Sequence, residues 1–260
     1  MKESLKAGLS CATFGKFDKE IIDLYAQNGI SAIEVCLPFV GYYKEDWKEM
    51  KKYADEKGVD LWSIHLPFGG DGCMFNIADK RMCDFTVKAD EDLIIRAKDA
   101  GMKAAVIHPT AGEIMDREEQ FESVINGLNR LVKIGKREGI EIAVEVLPPN
   151  NIGYSADEMK RIMDLVPGAK ICWDVNHLIG CSHEKFAEMF ADKIVTVHMS
   201  DYDFVGEKHW LPGDGKIDWK NIIQLLKKIN YTGPFMYEVG NDIEAVKKNY
   251  EEYIRGLINE

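Results

Sequence analysis

The chain has 260 residues, 46% of them hydrophobic, and carries a formal net charge of −11 at pH 7. That length can bury a substantial core as one domain, and the negative balance disfavours a nucleic-acid backbone as partner. No apolar leader opens the sequence and no apolar run approaches the roughly 20 residues a membrane helix needs, so a soluble, cytoplasmic protein is expected. Six cysteines (Cys11, Cys36, Cys73, Cys83, Cys172, Cys181) show no C-x-x-C spacing. They are expected as reduced thiols rather than a disulfide framework or zinc ribbon.

Short β-branched runs alternate with longer amphipathic stretches from end to end, the pattern of a parallel sheet with helices outside. In chain order, strands are expected near 5–13, 31–37, 60–67, 104–109, 141–147, 169–175, 194–200 and 234–239. Segments such as 44–57, 117–138 and 219–229 place apolar residues at helical spacing, for example Ile222, Leu225, Leu226 and Ile229. Asp18 before Ile21 and Ser155 with Glu158 read as helix starts, the second pair as a capping box, while Gly29, Gly58, Gly101 and Gly139 read as C-caps. His183 reads as an exposed helix residue. Eight such units predict an α/β fold: a single-domain (β/α)8 TIM barrel over residues 1–260.

Two longer insertions, 68–83 and 201–218, follow strands. Loops after strands lie on the face where barrels of this kind carry their active sites, which makes both candidate lids or substrate walls. The run Gly69-Gly70-Asp71-Gly72 is not a phosphate cradle; it reads as a flexible turn.

Seven of the eight expected strands end in an ionisable residue: Glu34, His65, His108, Glu145, Asp174, His198 and Glu238. Strand side chains alternate, so Ala32, Ser63, Val106, Ala143, Cys172, Thr196 and Met236 share their face two positions earlier. That face is uncharged, as expected for a packed barrel interior capped by one charged layer. Carboxylates converging in a partly desolvated pocket repel one another unless a cation neutralises them. The donor set therefore predicts one divalent metal ion, with Mn²⁺, Co²⁺, Zn²⁺, Mg²⁺ and Fe²⁺ not distinguished. Glu145, Asp174, His198 and Glu238 are the expected ligands, and Glu34 is expected to orient another ligand or pair with a lysine. Beyond the strands, Asp174-Val-Asn-His177 and Glu207-Lys208-His209 extend the constellation.

In these motifs (Ser-Ile-His65-Leu-Pro, Val-Ile-His108-Pro, Trp-Asp174-Val-Asn-His177, His198-Met-Ser-Asp, Glu207-Lys-His209-Trp and Tyr-Glu238-Val) the sequence resembles the xylose isomerase-like barrel superfamily. The resemblance implies that Glu145, Asp174, His198 and Glu238 hold the metal and that Glu145 and Glu238 flank the substrate as the catalytic pair. The implied reaction is isomerisation or epimerisation of a small sugar or sugar derivative, by proton abstraction next to a carbonyl through an enediolate. His65, His108, His177, His209, Glu34 and Lys208 are the implied substrate contacts, with His177 polarising a substrate oxygen. The implied partner is a small sugar-like molecule, and a homo-oligomer is compatible with it.

Three alternatives stay open under the same resemblance. An inosose dehydratase-like lyase would follow the proton abstraction with loss of hydroxide. An endonuclease IV-like multi-metal phosphodiesterase would use His65, His108, Glu145, Asp174, His177, His198, Glu207, His209 and Glu238. A non-catalytic sugar- or metal-binding barrel is the third. The sequence departs from ketose 3-epimerases in lacking an arginine between residues 199 and 210, where Lys208 is the one cation.

Overall fold

The computed structural model describes residues 5–70, 74–240 and 242–260. Cys73 and the Asp71-Gly72 part of the glycine-rich run lie outside them. Eight strands form one parallel sheet: β1 (Ala7–Ser10), β2 (Ala32–Val35), β3 (Asp60–His65), β4 (Ala104–Ile107), β5 (Glu141–Glu145), β6 (Lys170–Asp174), β7 (Ile194–His198) and β8 (Phe235–Tyr237). Their order is β7-β6-β5-β4-β3-β2-β1-β8. A parallel bridge between Met199 and Tyr237, with the Met199 amide donating to Met236 O at 2.8 Å, brings the two outer strands together. The chain is therefore a single-domain (β/α)8 barrel.

Every strand is shorter than its sequence pattern. Residues Cys11–Phe14, of which 11–13 were expected as the end of β1, turn into a 3-10 segment closed by Gly15, whose left-handed φ of 61° lets its amide reach back to Cys11 and Ala12. The apolar runs past the other strands are loop residues buried at the barrel mouth, so hydrophobicity alone overextends the strands.

The outer helices are α1 (Lys19–Gln27), α2 (Trp47–Lys57), α3 (Cys83–Asp99), α4 (Arg117–Glu138), α5 (Ala156–Leu165), α6 (His183–Met189), α7 (Trp219–Lys228), α8 (Ile243–Asn249) and α9 (Arg255–Asn259). Side-chain caps start most of them. Asp18 accepts from the Ile21 amide at 2.9 Å, and Asp46 starts α2 three residues later than its periodicity suggested. Gly58 and Gly139 end α2 and α4 in the left-handed region. Two expectations are corrected. Ser155 does cap α5, its Oγ accepting from the Glu158 amide at 3.3 Å, but the Glu158 carboxylate binds the Arg117 guanidinium and accepts from the Gly153 amide instead of closing a capping box. His183 is half-buried beside Trp173, with ring centroids 5.9 Å apart, and burial pulls its imidazole down to about 4.

Inside the barrel, Ala104, Val106, Ala143 and Cys172 form a separate apolar cluster beneath the charged layer. Small side chains there let β4, β5 and β6 pack closely, with their ionisable ends directly above. The larger core lies between sheet and helices, where α7 buries Trp219, Ile222, Ile223, Leu225 and Leu226. Among the described residues no disulfide forms, and no helix is long and apolar enough to cross a membrane.

One core position breaks the pattern. Asp90 shares the inward face of α3 with Thr86, Val87, Leu93, Ile94 and Ala97, is 0% exposed, and has no hydrogen-bond partner for either oxygen among the described residues. Burial pushes its carboxyl well above the ordinary 3.8. As pH rises through that value the unfolded chain releases the proton first, so the native state loses stability with rising pH until the folded value is passed. Asp90→Asn should remove this slope and raise unfolding free energy at pH 8 by about 1–3 kcal/mol; urea titrations at pH 4 and pH 8 measure it, and an unchanged difference between the two pH values would contradict it.

Candidate metal centre

Glu145 ends β5 and sits at the middle of the barrel mouth, 1% exposed. Its two oxygens face different neighbours. Oε2 lies 3.0 Å from His65 Nε2 and 3.1 Å from His108 Nε2, while Oε1 lies 3.2 Å from His177 Nδ1 and 3.5 Å from His198 Nδ1. His198 Nδ1 is also 3.2 Å from Glu238 Oε2 and 3.8 Å from Asp174 Oδ2. Glu145, Asp174, His198 and Glu238 thus offer ligand atoms all within 4.8 Å of one another. The same distance limit gathers His65, His108 and Glu145 on one flank and His177, Glu207 and His209 on the other.

Glu145 Oε1, Asp174 Oδ2, His198 Nδ1 and Glu238 Oε2, one atom from each residue of the central group, are buried without a hydrogen-bond partner among the described residues. Converging orphan acceptors in a desolvated site are costly, and a divalent cation would satisfy all four. The donor set fits such an ion: three carboxylates and one imidazole suit Mn²⁺, Co²⁺, Zn²⁺ or Fe²⁺. On the flanks the match is less complete, because His65 already bonds Glu145 Oε2, although His177 Nε2 is also orphaned.

Charges inside the group tune one another. Burial raises the Asp174 carboxyl to about 7, against the pull of His177. Burial acts the same way on Glu238 and Glu145, but the neighbouring imidazoles outweigh it. His198 brings Glu238 down to about 2, and His108 with His198 holds Glu145 well below the carboxylate range. Beside His177 and His209, Glu207 is lowered and His209 is raised to about 9.

The histidines are oriented by their other ring nitrogen. Nδ1 of His65, His177 and His209 lies 2.9 to 3.0 Å from the carbonyl oxygens of Leu66, Val146 and Glu238, so each presents Nε2. Glu34 is 0% exposed, and both its oxygens lie 3.1 Å from His198 Nε2. Lys208 is half-buried, donates its amide to Asn176 Oδ1 at 3.1 Å, and places its ammonium 6.0 Å over the Trp210 ring.

Two residues at this mouth escaped the sequence reading. Phe68, in the first insertion, stacks on His108 with centroids 3.9 Å apart and helps line a cavity of about 350 Å³ with Leu37, Phe39, Leu66 and Phe75. Among the described residues no charged side chain lines that cavity. Asp201 is 0% exposed and accepts from the amides of Tyr202, Gly213 and Ile217 and from Trp219 Nε1, at 2.8 to 3.1 Å. It anchors the loop that carries Glu207 and His209. Its position in the motif after His198 was the available signal; its partners, up to 18 residues away, were not.

The fold and this mouth define a class of barrel proteins, and the comparisons give its family. The chain belongs to the xylose isomerase-like TIM barrel family, whose model matches residues 22–259. An uncharacterized protein of Methanocaldococcus jannaschii is 25% identical over 96% of this chain and all of its own length. A probable endonuclease 4 of Acholeplasma laidlawii is 28% identical over 61% of this chain and 54% of its own. The crystal structure of a D-tagatose 3-epimerase-like protein superposes with a TM-score of 0.83 at 22% identity, over 98% of this chain and 97% of the other.

Removing the Asp201 acceptor leaves four donors unmatched, three of them buried. Asp201→Ala should lower unfolding free energy by about 2–4 kcal/mol and speed amide exchange at Gly213 and Ile217. Wild-type exchange at those two amides would show that Asp201 does not anchor the loop.

Proposed function

We propose that the protein is a divalent-metal-dependent isomerase or epimerase of a small sugar or sugar derivative. The observation that carries this reading is the convergence of four orphaned ligand atoms from Glu145, Asp174, His198 and Glu238 at the barrel mouth. A cation held by these four residues would supply electrophilic pull on a substrate carbonyl and its neighbouring hydroxyl, acidifying the adjacent C–H.

Glu145 and Glu238 are the proton-transferring pair. They come from β5 and from the residue after β8, with β6 and β7 between them, so their carboxylates approach a small molecule from different sides. Their imidazole neighbours keep both ionised near neutral pH, the state a base requires. Proton removal by one and return to the neighbouring carbon gives isomerisation; return from the opposite face by the other gives epimerisation. In this reading His177 hydrogen-bonds a substrate oxygen, and His65, His108, His209 and Lys208 are the further substrate contacts. A lyase that lost hydroxide after the same abstraction is the nearest chemical neighbour.

A second reading has its own observation. The two flanking groups, His65/His108/Glu145 and His177/Glu207/His209, complete a nine-residue set able to hold further ions, as a multi-metal phosphodiesterase requires. The formal charge of −11 opposes approach of a phosphate backbone. We favour one tightly held cation in the central group.

Conversion of candidate ketoses in deuterated water, with wild type, Glu145→Gln and Glu238→Gln at matched metal occupancy, tests the mechanism. Deuterium should enter the carbon beside the carbonyl, and each substitution should lower turnover on the order of a hundredfold or more. Product formed without exchange, together with wild-type rates in both variants, would contradict it. Three stoichiometric cations with cleavage of abasic duplex DNA would instead establish the second reading.

A further inference from the structure

His198 differs from the other histidines of the centre. His65, His177 and His209 each rest a ring nitrogen on a backbone carbonyl. His198 Nε2 instead lies 3.1 Å from both oxygens of Glu34, a carboxylate 164 residues earlier in the chain. Both side chains are 0% exposed. Among the described residues no lysine or arginine pairs with Glu34; its other hydrogen bond comes from Ser63 Oγ, donating to Oε2 at 2.9 Å.

The backbone holds this arrangement in place. Glu34 and Ser63 are register partners on β2 and β3, and the register shifts between Ile33 and Glu34. The pairing steps from Ile33–Leu61 to Glu34–Ser63, passing over Trp62 on β3, and so brings Ser63 level with Glu34. A carboxylate on Nε2 keeps the ring proton on that nitrogen, leaving the Nδ1 lone pair directed at the orphaned oxygens of Glu145, Asp174 and Glu238.

We propose that Glu34 is a positioning residue: through its hydrogen bond to Nε2 it fixes the tautomer and ring orientation of His198 and so strengthens cation binding by the central group, without touching substrate. The inference rests on the metal-binding reading given above and not on the sugar chemistry. Ser63 holds the carboxylate in register for the contact. The negative charge of Glu34 also makes the imidazole a more basic donor.

The test measures cation binding rather than turnover. Zn²⁺ affinity of the full chain is determined by chelator competition for wild type, Glu34→Gln and Glu34→Met, and the visible spectrum of each Co²⁺-loaded protein is recorded. Glu34→Gln keeps an oxygen acceptor without the charge and should weaken Zn²⁺ by about tenfold; Glu34→Met removes the acceptor and should approach a hundredfold. The Co²⁺ bands should shift in both, a change that a merely packing role would not produce. Wild-type affinity and an unchanged Co²⁺ spectrum in Glu34→Gln overturn the proposal, even where Glu34→Met does not fold. A wild-type protein that binds no cation overturns this inference and the metal reading together. Glu34-dependent binding in a protein that converts no sugar supports the inference and removes only the sugar chemistry.

Discussion

The mouth of this barrel is organised by an unmet electrostatic demand. Three carboxylates and an imidazole bring unpaired buried atoms to one point, an arrangement that ordinary packing would exclude because each orphan group is costly away from water. The surrounding structure follows from holding these groups in place. Small residues under the layer let the strands close beneath it, and backbone carbonyls or Glu34 set each imidazole whose second nitrogen has a partner. Asp201 gathers four donors to tether the loop bearing Glu207 and His209.

Glu145 occupies the strategic position in that layer. One oxygen serves His65 and His108, while the other joins the central group, so the flank and the centre are electrically coupled through a single carboxylate. The lowering of Glu145 and Glu238 by neighbouring imidazoles and the raising of Asp174 by burial show the same site imposing opposite protonation tendencies on like groups. Environments that separate carboxyl behaviour in this way are a common basis for division of labour between acid and base.

Much of this was legible from residue order because strands project alternate side chains to opposite faces. The repeated spacing of a small residue, a spacer and an ionisable residue therefore carried both the barrel and the identity of its charged layer, while strand ends were overextended by apolar loop residues. What the sequence did not disclose depends on distant partners. Glu34 meets a histidine 164 positions away, and Asp201 collects donors from a loop that has no regular period. Asp90 stands in the polar run Lys-Ala-Asp-Glu-Asp, yet helix phase turns it inward with Leu93 and Ile94. Phe68 was visible only as part of an insertion, since stacking on His108 requires two loops to meet in space.

Anomalous diffraction from crystals loaded with Mn²⁺ or Zn²⁺ tests the central claim most directly. The account predicts a strong peak at roughly 2.0–2.3 Å from Glu145 Oε1, Asp174 Oδ2, His198 Nδ1 and Glu238 Oε2 together. A fully loaded crystal with no anomalous peak among these four atoms, and with water alone as their partner, would contradict it.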